Sequence, residues 1–384
     1  MNDKMNIKTS GFKCDRSGWQ TVRLGEISDI CTGKRNNQDK NANGKYPFFV
    51  RSSVVERIDS YSFDGEAILM PGEGNIGDIV HYVNGRFDYH QRVYKISSFP
   101  DDVMGRYIYH VLKATFKKWA LGQTVKATVD SLRLPTFKNF QITLPSYQEQ
   151  SKIAHALDSI DNQISATQNL LSKYESIKKA TVKKLMTPTA EWQEATLGDF
   201  YTVSSGLSKG AEFFGSGYPF LSFVTVFNNP IIPDKLDDLV ESSAYERKQC
   251  SIRCGDVFLT RTSETLDELG MSSVALKDYP EATFNGFTKR LRPIDDIPLC
   301  PEFMAFYLRT ENFRKSICQK AAITTRASLN KDTIEKLVIA YPIPSVQHEI
   351  AKNLMTLDKQ RMILVEELDK LKQLKQSMLQ YFFG

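Results

Sequence analysis

The sequence predicts an α+β chain in which two mixed α/β domains are separated by two long antiparallel helices, arranged as a pseudo-two-fold internal repeat. Three observations lead there. Pro145, Gln150, Ile153, Ala154, Leu157, Asp161 and Gln163 recur 197 residues later as Pro342, Gln347, Ile350, Ala351, Leu354, Asp358 and Gln360. Nine of the 37 positions from Gln150 to Met186 are identical at that offset, and a fixed-period match is the mark of duplication. Trp19-Gln20 and Leu24-Gly25 recur as Trp192-Gln193 and Leu197-Gly198, now 173 residues apart, so the helical stretches kept register while the regions between them diverged. The third observation is a seam. Ile153, Leu157, Ile160, Ile164, Leu171, Tyr174 and Leu185 follow steps of three and four, as do Ile350, Leu354, Leu357, Leu364, Leu368, Leu371, Met378 and Phe382. Such spacing gives a coiled-coil stripe, not an all-round core. The expected order is a domain over 1–144, a helix over 145–190, a second domain over 191–341 and a second helix over 342–384.

Each helix can be justified locally. Ser146 and Glu149 form a capping box just after Pro145, whereas the second copy has Ser345 followed at that spacing by His348. A 37-residue helix is about 55 Å long at about 1.5 Å per residue, too long to lie inside either domain, so the two are expected to pack on each other. Arg361 and Lys375 interrupt the second seam. An exposed seam could instead dimerise the chain.

Both domains read as short strands followed by a helix. In the first, Lys45 to Val50, Glu66 to Met70, Asp78 to Val83 and Phe87 to Ile96 are strand-like, Asn84-Gly85 reads as a hairpin turn, and Met104 to Ala120 reads as a helix. In the second, Tyr218 to Val226, Asp256 to Thr260, Ser272 to Leu276 and Ala282 to Leu291 are strand-like, with a helix from Glu302 to Lys320.

Composition narrows the class. At 384 residues the chain exceeds one ordinary hydrophobic core. No apolar run is long enough to span a membrane, and the N-terminal stretch lacks a signal peptide's apolar core, so a cytoplasmic protein is expected. Six cysteines are scattered, and only Cys250 and Cys254 lie close together, which supports neither a disulfide framework nor a metal site. The net charge of +5 is uneven: residues 1–144 hold 21 Lys/Arg against 15 Asp/Glu, and residues 191–341 hold 17 against 21.

Catalytic motifs are missing. Gly72-Glu73-Gly74-Asn75-Ile76-Gly77 matches the dinucleotide fingerprint, but Asp78 to Val83 alternates like a strand where a phosphate-binding helix should open. A glycine-rich turn approaching a DNA backbone fits better. Asn228-Asn229-Pro230-Ile231 resembles a methyltransferase tetrad but departs from it at two positions, and the five histidines form no ligand pair. The chain is expected not to be an enzyme.

The doubled Pro-x4-Gln-x2-Ile-Ala-x2-Leu-x3-Asp signature at Pro145 and Pro342, with the Trp-x4-Leu-Gly openings at Trp19 and Trp192, resembles specificity subunits of type I restriction-modification systems, over essentially the whole chain. The resemblance implies two target recognition domains, each reading one half of a bipartite double-stranded DNA sequence, with the helices setting the spacer. It also implies two modification (methyltransferase) subunits docked on the scaffold and, in some systems, restriction subunits. S-adenosylmethionine, ATP and Mg would belong to those partners, and this chain would need no cofactor. A coiled-coil adaptor and a standalone DNA-binding regulator are the rival readings.

Base reading needs Arg or Lys for guanine and Asn or Gln for adenine. In the first domain this points to the loop Lys34, Arg35, Asn36 and Asn37, to Arg51, Ser52 and Ser53, to Gly74 and Asn75, and to His90, Gln91 and Arg92. The first loop also reads as a solvated turn. In the second it points to Ser204, Ser205 and Lys209, and to Thr260, Arg261, Thr262 and Ser263. Near the domain ends, Thr124 and Lys126 match Thr324, Thr325 and Arg326, hydroxyls beside a cation that suit phosphate contacts. Lys152, Lys173, Lys178 and Lys179, with Lys352, Lys359 and Lys370, mark helix faces that would meet modification subunits or water.

Overall fold

The computed structural model describes residues 17–74, 77–122, 131–263, 268–320, 322–323 and 327–384. It divides into two compact units, Met1–Gln168 with Glu366–Gly384, and Asn169–Val365. Each long helix, Tyr147–Leu185 and Pro344–Phe383, therefore gives residues to both units.

The first unit opens on the strand Gln20–Arg23, which pairs antiparallel with Gln141–Leu144 and so closes the domain where the long helix begins. Between them lies a six-stranded sheet in the order Asp29–Thr32, Val93–Ser97, Phe63–Pro71, His81–Tyr89, Tyr46–Phe49, Glu56–Ile58. A helical segment, Gly105–Val111 continuing through a π-turn to Gly122, packs on this sheet. Ile68, Ile96, Tyr107, Phe116 and Phe137 fill the space between, together with Ile153, Ala154 and Leu157 of one long helix and Phe382 of the other.

The second unit repeats the plan. Gln193–Thr196 closes on Val338–Tyr341 at the same repeat offsets. Its sheet keeps the strand order but is broken in two: Tyr201–Ser205, Thr288–Pro293, Val257–Thr260, Ser272–Val274 form one part, and Thr283–Phe284, Phe214–Leu221, Leu239–Val240 the other. The single strand His81–Tyr89 of the first unit is here replaced by Ser272–Val274 and Thr283–Phe284, so the chain between them separates the two sheets.

Several of the repeated residues hold the helices. Gln150 is buried, 1 % exposed; its amide donates to the Pro145 and Asp102 carbonyls and its oxygen accepts from the Met104 N–H. Gln347, 0 % exposed, does the same with Pro342, Pro298 and the Cys300 N–H. A buried amide with every bond made is affordable, and removing it strands three backbone groups. Asp161 pairs with Lys375 in the first unit and Asp358 pairs with Lys178 in the second, the same two repeat positions in exchanged roles. Arg361 pairs with Glu175. The residues that interrupt the apolar seam are thus cross-helix ion pairs. In the second unit partners 175–361 and 178–358 run in opposite directions, and in the first Lys375 faces Asp161 while Phe382 joins Ile153, so the helices are antiparallel in each. The Ser146–Glu149 capping box is present.

Some strand expectations need correction. Asn84-Gly85 is not a turn: it lies inside His81–Tyr89, where Gly85 (φ 127°) sits opposite Gly65 (φ 144°), a glycine pair that lets the two strands kink together. Phe223–Asn228 is a helix capped by Ser222, not a continuation of the strand. Phe87 to Ile96 and Ala282 to Leu291 are each interrupted by a tight turn. The Gly72–Gly77 stretch leads into the strand His81–Tyr89 rather than a helix. No helix among the described residues is long and apolar enough to cross a membrane.

Candidate nucleic-acid interface

Those two turns build the site. In the first domain the chain leaves the strand His81–Tyr89, turns through His90, Gln91 and Arg92, and re-enters at Val93. Five backbone bonds fix the turn: His90 N–H to Phe49 O (2.9 Å), Gln91 N–H to Arg35 O (2.8 Å), Val93 N–H to His90 O (2.9 Å), Gly72 N–H to Arg92 O (2.9 Å) and Leu132 N–H to Gly72 O (2.7 Å). A sixth comes from a side chain, where His90 Nδ1 accepts the Arg92 N–H at 2.9 Å.

The second domain makes the same six. Asn285 N–H donates to Leu221 O (3.0 Å), Gly286 N–H to Leu207 O (2.8 Å), Thr288 N–H to Asn285 O (3.0 Å), Arg261 N–H to Phe287 O (3.0 Å) and Leu329 N–H to Arg261 O (2.9 Å). Asn285 Oδ1 accepts the Phe287 N–H at 2.7 Å, in the role of His90 Nδ1. Each turn is approached by a glycine that nothing larger could replace: a Cβ on Gly33 would lie 2.0 Å from Tyr89 O, and one on Gly206 2.3 Å from Asn285 O. Four loops therefore converge in each domain, near residues 33–36, 72–74, 90–92 and 131–133 in one and 206–208, 261–263, 285–287 and 328–330 in the other.

The side chains mounted on this frame differ. In the first domain Glu73 holds both Arg51 (3.2 Å) and Arg92 (3.1 Å), each of them exposed. Glu73 is the shared wall of two shallow concavities. One, of about 400 Å³, is lined by Asn37, Lys40, Arg51, Ser52 and Gly74; the other, of about 290 Å³, by Thr32, Gln91, Arg92, Tyr94 and Arg133. Gln91 donates to Asn36, and Lys34, Asn37 and Ser53 are exposed nearby in sequence. In the second domain Lys289 donates to Ser205 (2.7 Å), and both burial and the charge of Arg261 lower its pKa. Arg261 Nε is buried without an acceptor among the described residues.

Not every residue expected at the interface is free to bind. His90 is 5 % exposed, and burial, followed by the charges of Arg51 and Arg92, lowers its pKa, so it is a neutral brace for the turn. Thr260 is 0 % exposed, its hydroxyl accepting the Met271 N–H and donating to Glu268 O, so it shapes the following loop. Arg35 is tied to buried Asp88 (3.3 Å), and Lys209 to Glu246 (3.0 Å). Ser52 bonds its own loop at Val54, and the Ser204 hydroxyl is buried. Thr262 and Ser263 pair with Ser328 and Ala327 as a short strand. Asn75, Thr124, Lys126, Thr324, Thr325 and Arg326 lie outside the described residues. Of the helix lysines, Lys178 is taken by Asp358 and Lys370 pairs with Glu366. Asn229 caps its helix by bonding Thr225 O, which accounts for the methyltransferase-like tetrad.

Glu73, Phe287 and Lys289 were not singled out from the sequence. The signal was there in the repeat: Asn285-Gly286 is a turn dipeptide, and aligning the two copies would have placed a turn at His90–Arg92, where no Gly or Pro marks one.

The scaffold is duplicated and presents two equivalent loop clusters, each bearing cations. The model of the type I restriction modification DNA specificity domain matches the chain twice, at residues 16–176 and 189–376, and the chain belongs to that family. It is 30 % identical over 181 residues to the type I restriction enzyme EcoDI specificity subunit of Escherichia coli, an alignment that covers 46 % of this chain and 40 % of that protein. It is 21 % identical to the MjaVIII specificity subunit of Methanocaldococcus jannaschii over 94 % of this chain and 91 % of that one. The S subunit of a type I restriction-modification system from M. genitalium shares the fold, with a TM-score of 0.67 at 15 % identity, covering 95 % and 96 % of the two chains.

Proposed function

We propose that this chain is the DNA-reading, non-catalytic subunit of a type I restriction-modification assembly, each domain reading one half of a bipartite target while the long helices carry modification subunits. The observation that carries the reading is the loop frame built twice, six hydrogen bonds for six, with different side chains mounted on each copy. One frame with two sets of outward groups is what two unlike half-sites require, since sequence is read by side chains reaching base edges while the backbone only positions them. The specificity-subunit names of its relatives agree with this role.

The chemistry would belong to the partners: S-adenosylmethionine for adenine methylation, and ATP and Mg where restriction subunits join. A methyltransferase that flips its target base needs a reader to place it over the right adenine. The test is single-molecule sequencing of adenine methylation in cells with and without this gene, the modification partner held constant. A two-part motif that disappears on deletion is the expected result. An unchanged pattern would overturn the proposal and favour an adaptor that assembles proteins through its helices.

A further inference from the structure

Phe287 is 57 % exposed at the tip of a turn that is otherwise fully bonded. A single exposed aromatic residue signals little by itself. What distinguishes this one is its position. By all six hydrogen bonds it occupies the place that Arg92 holds in the first domain, its N–H held by Asn285 as the Arg92 N–H is held by His90, and its carbonyl held by Arg261 as the Arg92 carbonyl is held by Gly72. The turn packs closely on the loop beside it: a Cβ on Gly286 would lie 2.4 Å from Ser208 Oγ and 2.9 Å from Leu207 O. Cations flank it: Arg261 through that backbone bond, and Lys289 two residues on, fixed to Ser205.

We infer that residues 92 and 287 are one base-reading position built twice, and that Phe287 reads a thymine through its 5-methyl group in the second half-site, where Arg92 reads a guanine in the first. The inference rests on the proposed function and adds to it the chemical class of base at one position of each half. Arg92 offers the fork of donors that matches the two acceptors of guanine, with one corner of the guanidinium steadied by Glu73. Phe287 has no donor. The thymine methyl is the one apolar feature on a base edge in the major groove, and an apolar side chain is its natural contact. Lys289 would hold an adjoining phosphate and keep the ring over the groove.

The test uses the complete chain with its modification partner, on duplexes carrying the target found by methylation sequencing. Each thymine of the second half-site is replaced in turn by uracil, which removes only the methyl group. At one position the wild-type complex is expected to lose about fourfold in affinity, the value of one buried methyl, and Phe287→Ala is expected to be insensitive to the same replacement. Phe287→Arg, which transplants the first domain's residue, should shift the methylated motif toward guanine at that position only. A second half-site without a methyl-sensitive thymine, or equal sensitivity in Phe287→Ala, overturns the inference and leaves bipartite reading intact. Absence of any two-part target would instead overturn the proposed function.

Discussion

The first domain mounts Arg51, Glu73 and Arg92 on its loop frame, whereas the second mounts Arg261, Phe287 and Lys289 on the same frame. The hydrogen-bond frame of the turn beneath these groups is shared, down to a side-chain acceptor at position 90 or 285 and a glycine at 33 or 206. The contrast separates two kinds of constraint. Backbone groups in a converging loop cluster must find partners, so the turn is repeated bond for bond. The outward side chains carry no such obligation and differ between a charged triad and an aromatic residue between cations.

The largest expected effect tests whether the halves are equivalent below the loops. Gln150→Leu should destabilise the first unit by about 2–3 kcal/mol by leaving buried backbone groups without partners, and Gln347→Leu should do the same to the second. Urea unfolding of variants that keep only Trp19 and Trp119, or only Trp192, with the other tryptophans replaced by Phe, reads each unit separately. Loss of less than about 0.5 kcal/mol on either side would break the equivalence.

A smaller effect concerns the charged triad. Glu73→Ala frees Arg51 and Arg92 from their shared carboxylate, so binding to unrelated DNA should strengthen and its salt dependence steepen, while discrimination at the first half-site falls by about 1–2 kcal/mol. The second half-site should be untouched. Titrations on duplexes mismatched in one half at a time, at two salt concentrations, give the answer.

The brace at position 90 predicts a pH dependence confined to the first domain. Burial lowers the His90 pKa, so the unfolded turn binds a proton more readily than the folded one. The stabilisation is complete above the ordinary histidine value of about 6.5 and is lost as pH falls through the depressed folded value, because a protonated Nδ1 cannot accept the Arg92 N–H. Amide exchange at Arg92 should therefore speed up below about pH 6.5 relative to Phe287. His90→Asn, which installs the second domain's acceptor, should remove that dependence. Persistence of the pH effect in the variant would place its origin elsewhere.

The smallest effect lies in the helices. Asp161 faces Lys375 and also Lys113 at 3.6 Å, whereas Asp358 faces Lys178. Largely covered but still solvent-screened pairs of this kind are worth on the order of 1 kcal/mol. Lys178→Ala should cost more than Lys375→Ala, by a few tenths of a kcal/mol, in the unfolding of the unit that holds the pair.

The two long helices were legible in the sequence because they rest on local periodicity and capping. Six of the nine identical positions proved to be the buried amides, the apolar contacts at Ile153, Ala154 and Leu157, and the cross-helix ion pairs, while Gln163 and Lys173 are exposed. The interface was only half legible. Polar loops can be found by residue type, and those carrying Arg51, Arg92 and Arg261 were singled out in that way. Residue type says nothing about whether a polar group is already spent, as His90, Thr260 and Lys209 are, and it passes over an exposed phenylalanine among strand-like neighbours. Partnering is decided by residues far apart in the chain, such as Asp88 for Arg35 and Glu73 for Arg92.

The central claim, that one frame reads two half-sites independently, is tested most directly by sequencing adenine methylation in cells whose only copy of this gene carries Arg92→Ala or, separately, Arg261→Ala. Each variant is predicted to relax the motif in its own half by about 1–3 kcal/mol of discrimination while leaving the other half intact. Relaxation of both halves by either variant, or of neither half by both, would contradict it.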